Sequence, residues 1–188
     1  MAVFFNPSDI NKLKKFRIVI DTNILAICSA DEIFLQNFLD TFSRNIRLID
    51  PIIKLEFLRG AKTDSLFEKK KKFLEFNGFY DMPDHYAIYN KVKEHVFDIA
   101  RIYAHHNIPD IHLGDLLITA RLMYYCEANI FATLDQQDFK TLLFDRWAVV
   151  SIESSPVKSD KKSTSLEHVV LLQFNEKKFK ECLKKLKI

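Results

Sequence analysis

The stretch RIVIDTNILAI, Arg17 to Ile27, runs three apolar β-formers, Ile18, Val19 and Ile20, directly into Asp21. A short continuous apolar run of this kind suits a strand of a parallel sheet covered on both faces. Ending it on a carboxylate, with Thr22 and Asn23 before the next apolar run, places polar chemistry where such sheets form their sites, at the carboxyl ends of the strands. Working outward, the chain reads as strands separated by helices. Helical sequence follows Asn23 to about Ser43, and IRLID (Ile46 to Asp50) is a second strand. Pro51 then opens a helix capped by Asp50 and closed near Gly60. TDSLFEKKKKFLEFNG is a helix stopped by Asn77 and Gly78, with an extended piece at Phe79 to Met82. Behind Pro83 and Asp84 a long helix carries Ile88, Val92, Val96, Ile99 and Tyr103 at steps of three to four. Another helix spans about Ile111 to Glu127, and NIFAT (Asn129 to Thr133) and AVVSI (Ala148 to Ile152) are further strands. The alternation predicts an α/β fold with a mostly parallel sheet.

Composition narrows the function. The 188 residues, 48% hydrophobic, are enough for one domain with a real core. No run of 18 apolar residues and no secretory leader pattern is present, so a soluble, cytoplasmic protein with no membrane attachment is expected. Cys28, Cys126 and Cys182 have neither disulfide-framework nor zinc spacing and read as buried thiols. Three glycines in the whole chain exclude glycine-rich phosphate loops, and with them nucleotide cofactors. The net charge of +3 is uneven: residues 156–188 carry nine lysines against four acids, leaving the rest mildly acidic. From Glu153 to Ser165 the sequence reads as a flexible linker, so the expected organisation is a domain over 1–152 followed by a linker and basic extension over 153–188, the extension holding a strand-like piece at Val169 to Phe174 and a basic helix with Phe179, Leu183 and Leu186 on one stripe.

Four acids stand where a core pattern prefers apolar side chains: Asp21, Glu56 in PIIKLEFLRG, Asp115 in HLGDLLITARL, and Asp135 in FATLDQQDF. Each has an ordinary reading alone, as a helix cap, an exposed helix face, a favourable charge near a helix start, or a turn residue. Together they need compensation, because isolated buried charges cost several kcal/mol each. Clustered carboxylates are suited to a hard divalent cation, Mg²⁺ or Mn²⁺, and zinc is a poorer match without histidine or cysteine among them. His105, His106 and His112 group in the sequence, but the first two end a helix, where the dipole favours histidine. Lys69 to Lys72 could follow a phosphate backbone or form the wet face of a helix whose stripe is Phe67, Phe73 and Leu74; Lys54 and Arg59 could also reach phosphate.

The chain resembles the PIN domains, and among them the VapC-type toxins of bacterial toxin–antitoxin pairs. The resemblance is carried by VIDTNIL (Val19 to Leu25), the helical Glu of IIKLEFLRG, and GDLLITARL followed by IFATLDQQDF, and it covers about Arg17 to Ile152. It implies a three-layer α/β/α sandwich and a Mg²⁺- or Mn²⁺-dependent endoribonuclease. Asp21, Glu56, Asp115 and Asp135 would be its catalytic, metal-binding acids, and Asn23 and Thr133 the polar residues that orient the metal shell or the scissile phosphate. Asp138 fits a helix cap, or a replacement for Asp135 if the loop folds differently. The implied partners are an RNA substrate, a small antitoxin and a second copy of the chain. The extra length around the matched region puts the toxin role in more doubt than the nuclease fold; a non-toxin RNA-processing nuclease and a non-catalytic RNA- or protein-binding PIN domain are the alternatives. An aspartyl-phosphate phosphatase of the haloacid dehalogenase kind is disfavoured, because Asn23 stands where its second Asp belongs.

Overall fold

The computed structural model describes residues 3–4, 13–83, 86–108, 111–135, 139, 141–155 and 165–186. Its strands are β1 (Val3–Phe4), β2 (Arg17–Ile20), β3 (Arg47–Ile49), β4 (Phe79–Asp81), β5 (Asn129–Thr133), β6 (Phe144–Ser154) and β7 (Ser165–Phe174). The helices are α1 (Thr22–Ala30), α2 (Glu32–Thr41), α3 (Pro51–Arg59), α4 (Asp64–Phe76), α5 (Tyr86–His105), α6 (Leu113–Tyr124) and α7 (Glu176–Lys185). The fold is α/β. One mixed sheet has the order β1-β6-β7-β5-β2-β3-β4. β5, β2, β3 and β4 run parallel, β7 is antiparallel to β5, β6 is antiparallel to β7, and β1 is antiparallel to β6. Five of these seven strands therefore share one direction.

Local chemistry accounts for most element ends. Asp21, Asp31 and Asp50 leave their strands or helices in extended conformation and accept from the backbone N–H groups of Thr22, Phe34 and Ile52, so each starts a helix. Asp31 thus divides the single helical stretch expected between Asn23 and Ser43 into α1 and α2. Pro51 occupies the first position of α3, where its missing N–H costs nothing. Gly78, at φ +66°, reverses the chain between α4 and β4 in a conformation open to glycine.

Among the described residues, ten of the chain's 17 phenylalanines are buried in the core. Phe34, Phe38 and Phe42 follow one another along α2 at four-residue steps, fully buried, with ring centroids 6.1 and 4.8 Å apart. A second series, Phe131, Phe139, Phe144, Phe174 and Phe179, joins β5 through β6 and β7 to α7 by successive contacts of 4.5 to 6.0 Å.

This second series overturns the expected boundary after Ile152. β7 lies inside the sheet between β5 and β6, paired to β6 from Phe144↔Phe174 to Ser154↔Ser165, and Val169 to Leu172 are buried. Phe179 and Cys182 seat α7 on the same core. The cause is legible in HVVLLQF, an apolar run that only a strand with both faces covered can accommodate. Of the expected linker, residues 156–164 lie outside the described residues. Among the described residues no helix is long and apolar enough to cross a membrane.

The chain steps outward from β2 to β3 to β4, then returns to place β5 on the other side of β2. That reversal makes the carboxyl ends of β2 and β5 a topological switch point, the place where open α/β sheets bind ligands.

Candidate active site at the carboxyl ends of β2 and β5

Asp21 follows the last residue of β2 and is 8% exposed. Its Oδ1 accepts the Thr22 N–H at 2.7 Å, so it does serve as a helix cap. Its Oδ2 accepts the Thr133 hydroxyl at 2.5 Å, which ties the end of β2 to the end of β5. The Thr133 oxygen in turn accepts from Asn23 Nδ2 at 3.1 Å and from the Asp135 backbone N–H at 3.0 Å. With both lone pairs used, its single proton is directed at Asp21. Asn23 closes the loop by accepting the Leu134 N–H at 3.2 Å through Oδ1.

The other acids enter from two helices. On α3, Glu56 Oε2 accepts the Thr22 hydroxyl at 2.8 Å. On α6, Gly114 abuts the same carboxylate so closely that a Cβ there would lie 2.5 Å from Glu56 Oε1. Asp115 is the next residue, in the first turn of α6. Electrostatics agree with this convergence. Burial pushes the Asp21 carboxyl up to about 6 from an ordinary 3.8, the Thr133 and Thr22 hydrogen bonds oppose the rise, and the charges of Asp115 and Glu56 add to it.

The structure therefore brings Glu56 and Asp115 within electrostatic reach of Asp21 and places Asn23 and Thr133 in the bonds that orient Asp21. Asp135 joins through its backbone N–H to Thr133. Asp138 lies outside the described residues. Among the described residues, no group of three His, Cys, Asp or Glu side chains is arranged as it stands to hold a metal ion. Threonine hydroxyls occupy one oxygen each of Asp21 and Glu56. The donor set still suits a hard cation: the acids offer only oxygen, and Asp115 and Glu56 raise the cost of charging Asp21, a cost a cation would relieve.

Sequence reasoning missed three contributors. Gly114 had a signal, a scarce glycine inside a helix directly before a candidate acid. Thr22 had only its position in IDTN. Arg121, 7% exposed, forms an ion pair with Asp50, 1% exposed, which pattern alone does not reveal. Of the lysines, Lys54 pairs with Asp81 at 2.8 Å. Lys70 donates to the Phe57 carbonyl at 2.6 Å and lies 4.4 Å from the Phe57 ring centroid. Lys69, Lys71 and Lys72 are exposed.

Thr133→Val tests the hydroxyl network. It strands the Asn23 amide and the Asp135 N–H and removes the proton donated to Asp21, so a loss of about 1–3 kcal/mol is expected. Urea unfolding alongside Thr133→Ser checks this. A loss in Thr133→Ser with none in Thr133→Val would show that the methyl packing, not the hydroxyl, matters.

Comparison of the chain with protein-family models, with curated proteins and with solved structures returned no match, so a functional reading rests on the residues and the geometry described above.

Proposed function

We propose that the chain is a PIN-like endoribonuclease that uses Mg²⁺ or Mn²⁺ to hydrolyse RNA phosphodiester bonds, built as a three-layer α/β/α sandwich. The observation that carries this reading is the meeting of Asp21, Glu56 and Asp115 at the point where the strand order reverses, with Thr133 and Asn23 fixing Asp21. In this reading Asp21, Glu56 and Asp115 hold the cation, and Asp135 completes the set from the loop after β5. When bound, Mg²⁺ or Mn²⁺ supplies a water acidic enough to attack near neutral pH and offsets charge gathering on the phosphoryl oxygens. Thr133 keeps one oxygen of Asp21 hydrogen-bonded so that the carboxylate holds its direction. Thr22 does the same for Glu56, and Gly114 leaves the space Glu56 Oε1 occupies.

A cytoplasmic toxin held by a small antitoxin, acting as a homodimer, is the biological setting the resemblance to VapC-type proteins suggests. A short DNA-binding protein encoded in the adjacent reading frame would favour that setting over a non-toxin RNA-processing role. The direct test is cleavage of a structured RNA mixture by the purified protein. Cutting is expected with Mg²⁺ or Mn²⁺, should stop with EDTA, and should return when the metal is restored in excess. Cutting that persists in EDTA would refute the metal-dependent reading. A protein that binds Mn²⁺ but leaves every RNA intact would favour the binding-module alternative.

A further inference from the structure

We propose that the buried Asp50–Arg121 ion pair is a positioning device that sets the spacing of Glu56 and Asp115, and through it the affinity of the site for its cation; this rests on the metal-site reading above. The two partners stand on the same two elements as the acids. Asp50 caps α3 and precedes Glu56 by six residues; Arg121 is on α6 and follows Asp115 by six. Along a helix that is about 9 Å. Arg121 Nε donates to Asp50 Oδ2, while Asp50 Oδ1 accepts the Ile52 N–H at 2.9 Å. One carboxylate thus holds the first turn of α3 with one oxygen and α6 with the other. Arg121 Nη2 reaches the Pro83 carbonyl at 3.4 Å, and Tyr125 donates its hydroxyl to the same carbonyl at 3.1 Å, so α6 is also fastened to the segment after β4.

A buried ion pair is often no more stabilising than well-packed apolar side chains of the same volume, so its presence is weak grounds for a purely stabilising role. What it does impose is direction: a guanidinium fork and a capping carboxylate admit few relative placements of the two helices. The contact it protects is unforgiving, since even a Cβ at Gly114 would lie 2.5 Å from Glu56 Oε1.

The sign of the effect separates positioning from simple charge. Removing the positive charge of Arg121 would, through the field alone, strengthen cation binding. Loss of alignment would weaken it.

Mn²⁺ titrations of the full chain, followed by water-proton relaxation, read this without reference to activity, with unfolding curves recorded for every variant. Arg121→Met is expected to weaken Mn²⁺ binding by about 10- to 100-fold, the range seen when groups supporting metal ligands are removed. RNA cleavage by this variant should recover most of its kcat when Mn²⁺ is raised to saturation. Arg121→Lys should fall between Arg121→Met and the parent, and Tyr125→Phe should leave Mn²⁺ affinity as it was. A folded Arg121→Met that binds Mn²⁺ as tightly as the parent, or more tightly, overturns the proposal. So does failure of Arg121→Met, Arg121→Lys and Asp50→Asn all to fold, which would make the pair a folding requirement. If the parent itself binds Mn²⁺ no better than Asp115→Asn, the metal-site reading falls and takes the proposal with it.

Discussion

Asp21→Asn is expected to abolish metal-dependent RNA cleavage while making the metal-free protein more stable at pH 7. The first effect should exceed the roughly 100-fold that changes around a metal's ligands produce, because a ligand itself is removed. The second follows from the carboxyl's raised pKa, about 6 in the folded protein against an ordinary 3.8. A carboxyl that holds its proton more tightly when folded favours folding at low pH. Its contribution is lost as pH rises from about 4 to about 6 and stays lost above that. At pH 7 the charged, buried Asp21 costs about 3 kcal/mol, at 1.36 kcal/mol per tenfold. Asparagine carries no charge and keeps an oxygen for the Thr22 N–H, but its amide cannot accept the Thr133 hydroxyl, so the net gain should be about 1–2 kcal/mol. Thermal unfolding of both proteins at pH 7 and pH 5 without metal checks this: the variant's advantage should shrink at the lower pH. Saturating Mn²⁺ should then raise the melting temperature of the parent and leave the variant nearly unmoved. An Asp21→Asn protein that is less stable than the parent at pH 7 would mean that the carboxylate is already compensated in the fold, without a cation.

Gly114→Ala should lower activity while leaving stability close to the parent's. The new Cβ would come within 2.5 Å of Glu56 Oε1, nearer than real contacts allow. The atom it meets is the tip of a flexible side chain, so Glu56 can swing away at little cost, giving up its bond from the Thr22 hydroxyl at 2.8 Å. Alanine in place of glycine within α6 favours the helix by about 0.5–1 kcal/mol, which offsets that loss. The expected result is a melting temperature close to the parent's with cleavage reduced by about 100-fold or more, the cost of moving a group that acts in the transition state. Mn²⁺ affinity should fall in parallel. Retained cleavage in Gly114→Ala would remove Glu56 from the site while leaving Asp21 and Asp115 in it. Gly114→Ser should behave as Gly114→Ala does, since the Cβ is the atom that intrudes.

Much of this molecule is written in nearest-neighbour chemistry. Ile18, Val19 and Ile20 are a buried strand because three adjacent β-formers need cover on both faces, and Asp50 followed by Pro51 starts a helix because one supplies the missing acceptor and the other lacks the surplus donor. Phe79 to Asp81, Asn129 to Thr133 and the helix before His105 follow from the same short-range rules. The four acids were visible because charge within an apolar pattern is a local anomaly. What a run of residues cannot display is which distant group answers that anomaly. The Thr133 hydroxyl that holds Asp21 is 112 residues away, and Thr22 and Glu56 are 34 apart. Insertion of β7 between β5 and β6, against the expected boundary after Ile152, was settled by the need to cover a continuous apolar strand on both sides, a demand only the assembled sheet can meet. The Asp50–Arg121 pair belongs to the same class. Asp50 alone reads as a cap, and its burial against Arg121 exists only once α3 and α6 are packed.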